Sequence, residues 1–185
     1  MYVAPESRHE KTSKDNLRDA SYHLILLSES EKGYKNLLKL VTKGYLEGFY
    51  YKPRIDKELL AEYSEGLIAL SSCVRGEVAH NVNRENVPRA IKVASQYAEI
   101  MGEGNFFLEL QNHQLENQDR INKEIIGIGK KLGLPVVATN NCHYIDKKDF
   151  RAHEILLCLQ TGKTISDPYR MQYPKDEFYF KSPQE

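Results

Sequence analysis

Polar side chains that can bind metals follow several apolar runs of this sequence, close to where each run ends. In chain order these candidates are Cys73, Glu109, Asn112, His113, Asn141 and His143. One further histidine, His23, lies inside an apolar run instead of after it. Histidine, cysteine and carboxylate side chains are ligands of zinc and manganese. If the runs are neighbouring strands, the residue types predict a metal site.

Most of these residues also have a plainer interpretation. His23, flanked by apolar residues, is typical of a hydrogen-bonded core histidine, and a lone cysteine such as Cys73 is commonly a small buried apolar side chain. Asn112 and His113 are suited to a turn. His143 follows its apolar run by several residues in a polar loop, so a structural role explains it less readily.

The pattern of apolar residues predicts four units, each a strand followed by a helix. Strands are predicted at residues 22–27, 66–72, 105–111 and 135–139, and the main helices at 31–46, 87–101, 117–132 and 150–160. This order with short connections implies parallel strands with right-handed crossovers and outer helices. In such folds ligands bind at the carboxyl ends of the strands. Since four units cannot close a barrel of about eight strands, we expect an open sheet or half of a barrel.

The sequence also predicts the apolar side and the caps of individual helices. The helix over 31–46 is predicted to be amphipathic, with the apolar residues Tyr34, Leu37, Leu38, Val41 and Tyr45 at helical spacing. Ser28 and Glu31 suit a capping box at its start, and Asp56 suits the cap of a shorter helix. His153, beside Glu154 in the last predicted helix, is interpreted as a packing residue.

Composition limits the classes of function. The 185 residues contain 26 lysines and arginines against 26 acidic residues, whereas a protein that holds nucleic acid by its overall charge is usually basic. Four basic residues are interpreted as solvated, with phosphate contact as the alternative: Lys39, Lys43, Lys52 and Arg54. The cysteines 73, 142 and 158 form no close pair, which argues against a disulfide framework. Without a membrane-spanning run or an apolar signal-peptide core, the expected location is the cytosol.

Six segments together support a family resemblance. They are residues 22–27 (Tyr-His-Leu-Ile-Leu-Leu), 33–37, 48–56, 66–73, 137–144 (Val-Ala-Thr-Asn-Asn-Cys-His-Tyr) and 152–157, followed by an Asp-Pro pair at 167. In this order and spacing they resemble the PHP domain of bacterial DNA polymerase III alpha subunits. The resemblance implies an α/β fold of the partial PHP type, a distorted (β/α) barrel with parallel strands and outer helices. The expected boundaries are a polar loop over 1–20, the partial domain over 21–165 and an irregular segment over 166–185.

The resemblance also assigns metal ligands. His23, Cys73 and His143 match family ligand positions, while Asn141 stands where the family has an aspartate. A neutral amide is a poorer ligand for a dication than a carboxylate and cannot act as a base. The family's opening His-x-His, a following Asp, a further His and a Glu would precede the equivalent of Tyr2. We therefore expect zinc or manganese in the intact domain and none, or a partial complement, in this chain.

The implied function is support of DNA-directed DNA synthesis by a replicative polymerase, with metal-dependent 3′–5′ exonuclease activity in some members. By itself this chain is expected to be inactive. Its implied partners are the rest of the alpha subunit and, through it, DNA and other replisome subunits. The alternatives are a free-standing metallophosphoesterase and a non-catalytic interaction module. Because a half barrel exposes a strand edge, we also expect self-association or a rearrangement of helices that covers the edge.

Overall fold

The computed structural model describes residues 1–11, 21–182 and 184–185. The chain divides into two compact units, one formed by residues 1–110 with 120–137 and the other by 111–119 with 138–185. Within the segment predicted to be a polar loop, Tyr2–Val3 form a short strand. The part of that loop at 12–20 lies outside the described residues. The boundaries at 21–165 and 166–185 stay a prediction.

The helices and strands follow the predicted order closely. The strands are β1 Tyr2–Val3, β2 Tyr22–His23, β3 Ile25–Ser28, β4 Arg54–Ile55, β5 Leu67–Leu70, β6 Phe106–Leu110 and β7 Val136–Ala138. The helices are α1 Glu31–Leu46, α2 Lys57–Glu62, α3 Glu77–Asn83, α4 Val87–Met101, α5 Gln118–Leu132 and α6 Phe150–Thr161. A 3-10 turn, Lys147–Asp149, precedes α6.

The strands form two sheets and, among the described residues, no closed barrel. The first sheet has the order β2-β1-β4, and the second has the order β3-β5-β6-β7. β5 and β6 are parallel, as predicted. β3 is antiparallel to β5, and β2 is antiparallel to β1, so the prediction of all-parallel strands is wrong. The predicted strand at 22–27 is divided at Leu24 between the two sheets. A mixed α/β fold is confirmed.

The hydrophobic core of the first unit is formed by its strands and by helices α1 to α5, and α4 and α5 contribute several of its buried side chains. Val93, Ala94 and Tyr97 of α4 are buried, as are Ile125 and Ile128 of α5. Pro88 at the first turn suits the start of α4, because proline lacks the amide hydrogen that this turn leaves unpaired. Burial of each large apolar side chain contributes about 1.5–3 kcal/mol, so these two helices hold the sheet that carries the candidate residues.

Helix α1 turns most of its large apolar side chains outward, although Leu37 and Leu40 pack against the core. Its buried residues are Gly33, Asn36, Leu40 and Gly44, whereas the apolar residues Tyr34, Leu38, Val41 and Tyr45 are exposed. The N-cap is Ser30, whose hydroxyl accepts the amide hydrogen of Gly33 at 3.1 Å, so the predicted capping box of Ser28 and Glu31 is wrong.

Close backbone contact explains this orientation. A Cβ atom on Gly33 would collide with the carbonyl oxygen of Gly66, and one on Gly44 would lie 3.5 Å from the carbonyl oxygen of Arg54. The glycines let the helix backbone rest directly on the chain beneath it. The large apolar side chains then occupy the outer surface.

The second unit is built around α6 and the segment that follows it. Leu157 and Cys158 of α6 and Phe178 are buried. Glu154 accepts from Arg170 at 2.6 Å, which ties the irregular segment to the helix. No helix in the described part of the chain is long and apolar enough to cross a membrane.

Candidate functional site

His23 and Cys73 lie side by side in the first unit. The Sγ atom of Cys73 is 3.6 Å from Nδ1 of His23, and the imidazole ring stands edge-on to Tyr2 with the ring centroids 5.2 Å apart. The amide of His23 donates to the carbonyl oxygen of Arg75 at 3.0 Å. Two of the three predicted metal ligands are therefore neighbours, held by β2 and by the turn after β5.

The turn after β5 owes its path to two unusual backbone positions. Ser72 has a φ of 68°, in the left-handed region. The amide of Gly76 donates to the carbonyl oxygen of Cys73 at 2.7 Å, and a Cβ atom on Gly76 would collide with the carbonyl oxygen of Ser71. Only a residue without a side chain fits there. This tight reversal carries the thiol of Cys73 back toward His23.

Glu109, from the end of β6, is fixed within the same unit. Its side chain is buried, and its amide donates to the hydroxyl of Ser71 at 2.8 Å. This bond joins the ends of β5 and β6. The role of the Glu109 side chain in a metal site stays a prediction.

His113 is a buried, stacked histidine of the second unit. Its ring is parallel to that of Phe178 with the centroids 4.5 Å apart, and its Nε2 accepts the amide hydrogen of Asn141 at 3.1 Å. Burial is the largest influence on this ring and lowers the pKa of His113. The neutral tautomer with hydrogen on Nδ1 satisfies this contact. Asn112 accepts from the amide of Gln114 at 3.2 Å, as a turn residue does.

His143 belongs to an aromatic cluster in the second unit. Its ring centroid is 4.6 Å from that of Tyr173 and 5.6 Å from that of His153. The hydroxyl of Tyr173 lies 3.1 Å from Nε2, and the amide of His143 donates to the carbonyl oxygen of Phe178 at 2.8 Å. Desolvation by these neighbours, and then the charge of His153, lower the pKa of His143.

The described donors do not fit a metal ion on their own. Among the residues that the structure describes, no group of three or more histidine, cysteine, aspartate and glutamate side chains is arranged to hold one. His23 and Cys73 supply two donors, whereas a tetrahedral zinc site with an open position needs three. Since His143 is part of the other unit, its sharing of a site with His23 and Cys73 stays a prediction.

The aromatic neighbours of His143 were not identified from the sequence. Tyr173 and Phe178 come from the irregular segment after α6, where no helical or strand periodicity indicates which side chains point inward. His153, for which the sequence predicts a packing role, contacts the rings of His143, Tyr144 and Tyr173. A cluster of tyrosines and histidines near the end of the chain was the available signal.

The second unit is expected to lose stability as the pH falls below about 6.5, the ordinary pKa of histidine. Because burial lowers the pKa of His113, the unfolded chain takes up a proton at a higher pH than the folded chain does. The stabilisation is therefore present above the unfolded-state pKa and is lost as the pH falls toward the folded-state value. Thermal unfolding followed by near-ultraviolet circular dichroism between neutral and mildly acidic pH measures this loss.

The variant His113→Gln isolates the contribution of the His113 ring to the pH dependence of stability. Glutamine cannot titrate and still offers an acceptor to the amide of Asn141. We expect its unfolding temperature to depend less on pH than that of the unaltered chain. Equal losses in the two proteins would show that His113 is not the responsible group.

Comparison with known proteins identifies the family to which this chain is related. A model of the PHP domain matches residues 1–113. The DNA polymerase III subunit alpha of Treponema pallidum (strain Nichols) is 43% identical over 182 residues, which is 98% of this chain and 16% of that protein. The subunit of Thermus aquaticus is 44% identical over 184 residues, covering 100% of this chain and 15% of the relative.

The same similarity extends to other bacteria. The alpha subunit of Borreliella burgdorferi is 42% identical over 184 residues, covering 100% of this chain and 16% of that protein. The chain thus spans only 15–16% of the length of these three relatives. Its sequence matches their PHP region over nearly its whole extent, and the family model covers more than half of it. The chain therefore belongs to the PHP domain family.

Proposed function

We propose that this chain serves as the PHP region of a replicative DNA polymerase III alpha subunit, where it supports DNA-directed DNA synthesis as a structural part. The observation that carries the proposal is the 42–44% identity to such subunits over 98–100% of this chain. Its partners would be the rest of an alpha subunit and, through it, DNA and other replisome subunits in the cytosol.

The composition of the candidate site favours support over catalysis in this chain. A metal-dependent phosphoesterase uses its ions to lower the pKa of a bound water and to neutralise phosphate oxygens. Here His23 and Cys73 are the neighbouring donors, and Asn141 offers an amide where a carboxylate would bring negative charge. Zinc or manganese, and with them 3′–5′ exonuclease activity, would belong to an intact domain with a fuller set of ligands.

A nuclease assay tests this proposal directly. The chain is incubated with Mn²⁺ or Zn²⁺ and a primer labelled at its 5′ end, and loss of nucleotides from the 3′ end is followed. We expect no turnover above that of the variant His143→Ala. The matched control is His9→Ala, which replaces an exposed histidine outside the candidate set. Turnover that is abolished by His143→Ala and kept by His9→Ala would overturn the proposal.

A free-standing metallophosphoesterase is the second candidate, and the contact of His23 with Cys73 at 3.6 Å favours it. These two side chains and a third ligand would hold one zinc ion with an open position. Elemental analysis of the purified chain separates the candidates. One equivalent of zinc that is lost in Cys73→Ser would support the phosphoesterase, and its absence would agree with a supporting or purely interacting module.

A further inference from the structure

A short loop after α1 presents two aromatic rings to solvent. Phe49 is exposed to 52% and Tyr51 to 69%. The amide of Tyr50 donates to the carbonyl oxygen of Lys52 at 3.0 Å, and these two residues form an isolated antiparallel bridge. The chain therefore reverses tightly, with Tyr51 at the tip. We call residues 49–52 the aromatic loop.

The aromatic loop is held in shape by the residues beneath it. Arg54 is fully buried, and its Nε donates to the carbonyl oxygen of Gly48 at 3.0 Å. Its guanidinium lies over the ring of Tyr50, 5.1 Å from the centroid. Tyr51 has a φ of 57°, an outlier for a bulky side chain, and such strain is concentrated at functional sites. Because the Tyr51 ring is exposed, core packing does not explain this conformation.

Lys52 places a cation beside these rings. Of the basic residues for which the sequence leaves phosphate contact open, Lys43 pairs with Glu47 at 3.1 Å and Arg54 is bonded to carbonyl oxygens. Lys52 is exposed, and among the residues that the structure describes it forms no ion pair with a carboxylate. Its Nζ lies 5.7 Å from the centroid of the Tyr2 ring. That contact leaves hydrogens of the ammonium group for an anion.

The aromatic loop is continuous with the pair of His23 and Cys73. The ring of Tyr2 contacts both the ammonium group of Lys52 and the imidazole of His23, whose centroid is 5.2 Å away. The thiol of Cys73 follows at 3.6 Å from His23. A phosphate held by Lys52 would therefore lie next to the candidate residues of the first unit.

We propose that the aromatic loop binds a single strand of nucleic acid, with bases stacked on Phe49 and Tyr51 and a phosphate paired with Lys52. Unpaired strands are commonly bound by aromatic rings that stack on bases and by cations that follow the backbone. A lysine between the rings disfavours a protein partner, because lysine is depleted where proteins bind one another. A duplex is disfavoured because its bases are already stacked and offer no free face to the rings.

This inference goes beyond the proposed function and does not depend on it. The probe is a labelled strand of about 12 thymidine nucleotides, whose binding to the full chain is measured by fluorescence anisotropy. An abasic strand of equal length keeps the phosphates and removes the bases, and a hairpin duplex keeps both but pairs the bases. We expect the thymidine strand to bind at least about tenfold more tightly than either at low salt.

Variants of the chain locate the binding surface. Tyr51→Asn removes the ring and keeps a residue that tolerates the left-handed conformation, and it is expected to weaken binding of the thymidine strand about tenfold. Lys52→Gln is expected to lower the slope of log affinity against log salt by about one, since one phosphate contact is lost. The matched controls are Tyr169→Asn, exposed to 88%, and Lys148→Gln, whose side chain is exposed to 80%. Each control should change binding less than about twofold.

Four results would overturn the proposal. They are no binding of the thymidine strand, equal binding of the abasic strand, equal binding of the duplex, and affinities that the loop variants change no more than the control variants do. All four substituted positions are exposed, so circular dichroism is expected to show unaltered folding. A loss of affinity in the loop variants would then be a loss of contact with the strand.

Discussion

Replacing Gly33 by alanine is expected to destabilise the first unit by about 2–3 kcal/mol, as overpacking of a close contact does. A methyl group there would collide with the carbonyl oxygen of Gly66, which is backbone and cannot swing aside. That carbonyl also accepts the amide hydrogen of Glu29 at 3.0 Å. Relief of the collision would move the start of α1 outward and break this bond. Urea unfolding followed by far-ultraviolet circular dichroism measures the change.

The matched control is Gly127→Ala. Gly127 lies inside α5 and is exposed, and a Cβ atom there meets nothing within 4 Å. Alanine is the better helix former, so this variant is expected to gain about 0.5–1 kcal/mol. The same glycine-to-alanine substitution would then lower the free energy of unfolding in α1 and raise it in α5, because only Gly33 contacts Gly66. A neutral or stabilising Gly33→Ala would mean that α1 does not rest on that backbone.

The bounds of several helices were predictable from the sequence because they combine an apolar period with a recognisable start or end. The helix over 87–101 has Pro88 in its first turn and ends before Gly102, and Asp56 caps α2 by accepting the amide hydrogen of Leu59 at 2.9 Å. Gly133 follows the last residue of α5 and has a φ of 67°, the left-handed conformation in which glycine commonly ends a helix. These signals are local, so no tertiary information was needed.

The orientation of α1 was not predictable in the same way. An apolar period shows that a helix is amphipathic, but not which of its sides faces the core when glycines lie on the other. Here Gly33 permits an approach to the backbone of Gly66 that a larger residue would prevent. Only the position of Gly66, 33 residues further along the chain, decides the matter. The row of apolar residues on α1 was therefore visible in the sequence, and its exposure was not.

The direction of the strands, and which candidate side chains lie together, also could not be predicted from the sequence. The apolar run at 22–27 suggests one buried strand, yet the chain changes sheets at Leu24 and β3 pairs antiparallel with β5. Such a change depends on the partner strands, which short runs do not identify. The resemblance assigns His23 and Cys73 as metal ligands, which stays a prediction, and the structure places the two side chains in contact. The tight turn at Gly76, which carries Cys73 toward His23, could not be predicted from the sequence.

The second large loss of stability is expected when Arg54 is replaced, although the sequence suggests that this residue is solvated. Arg54 is fully buried. Its Nε donates to the carbonyl oxygen of Gly48 at 3.0 Å, and one terminal nitrogen donates to the carbonyl oxygens of Arg8 and Glu10 at 3.0 and 2.8 Å. A buried arginine that fills carbonyl acceptors replaces the water that these groups would otherwise bind. It thereby fastens the segment at 8–10 to the loop before β4.

Arg54→Met is expected to cost about 3–5 kcal/mol, because methionine keeps the apolar stem and leaves the carbonyl acceptors without a donor. Arg54→Lys should recover only part of the loss, since an ammonium cannot reproduce the planar fork of donors. The control is Arg151→Met, where an exposed guanidinium lies 3.4 Å from Glu154 and the expected cost is below about 1 kcal/mol. Limited proteolysis near residues 8–10 provides a second measurement, because detachment of this segment exposes it to cleavage. Equal costs for Arg54→Met and Arg151→Met, with no new cleavage, would show that Arg54 is a solvated residue after all.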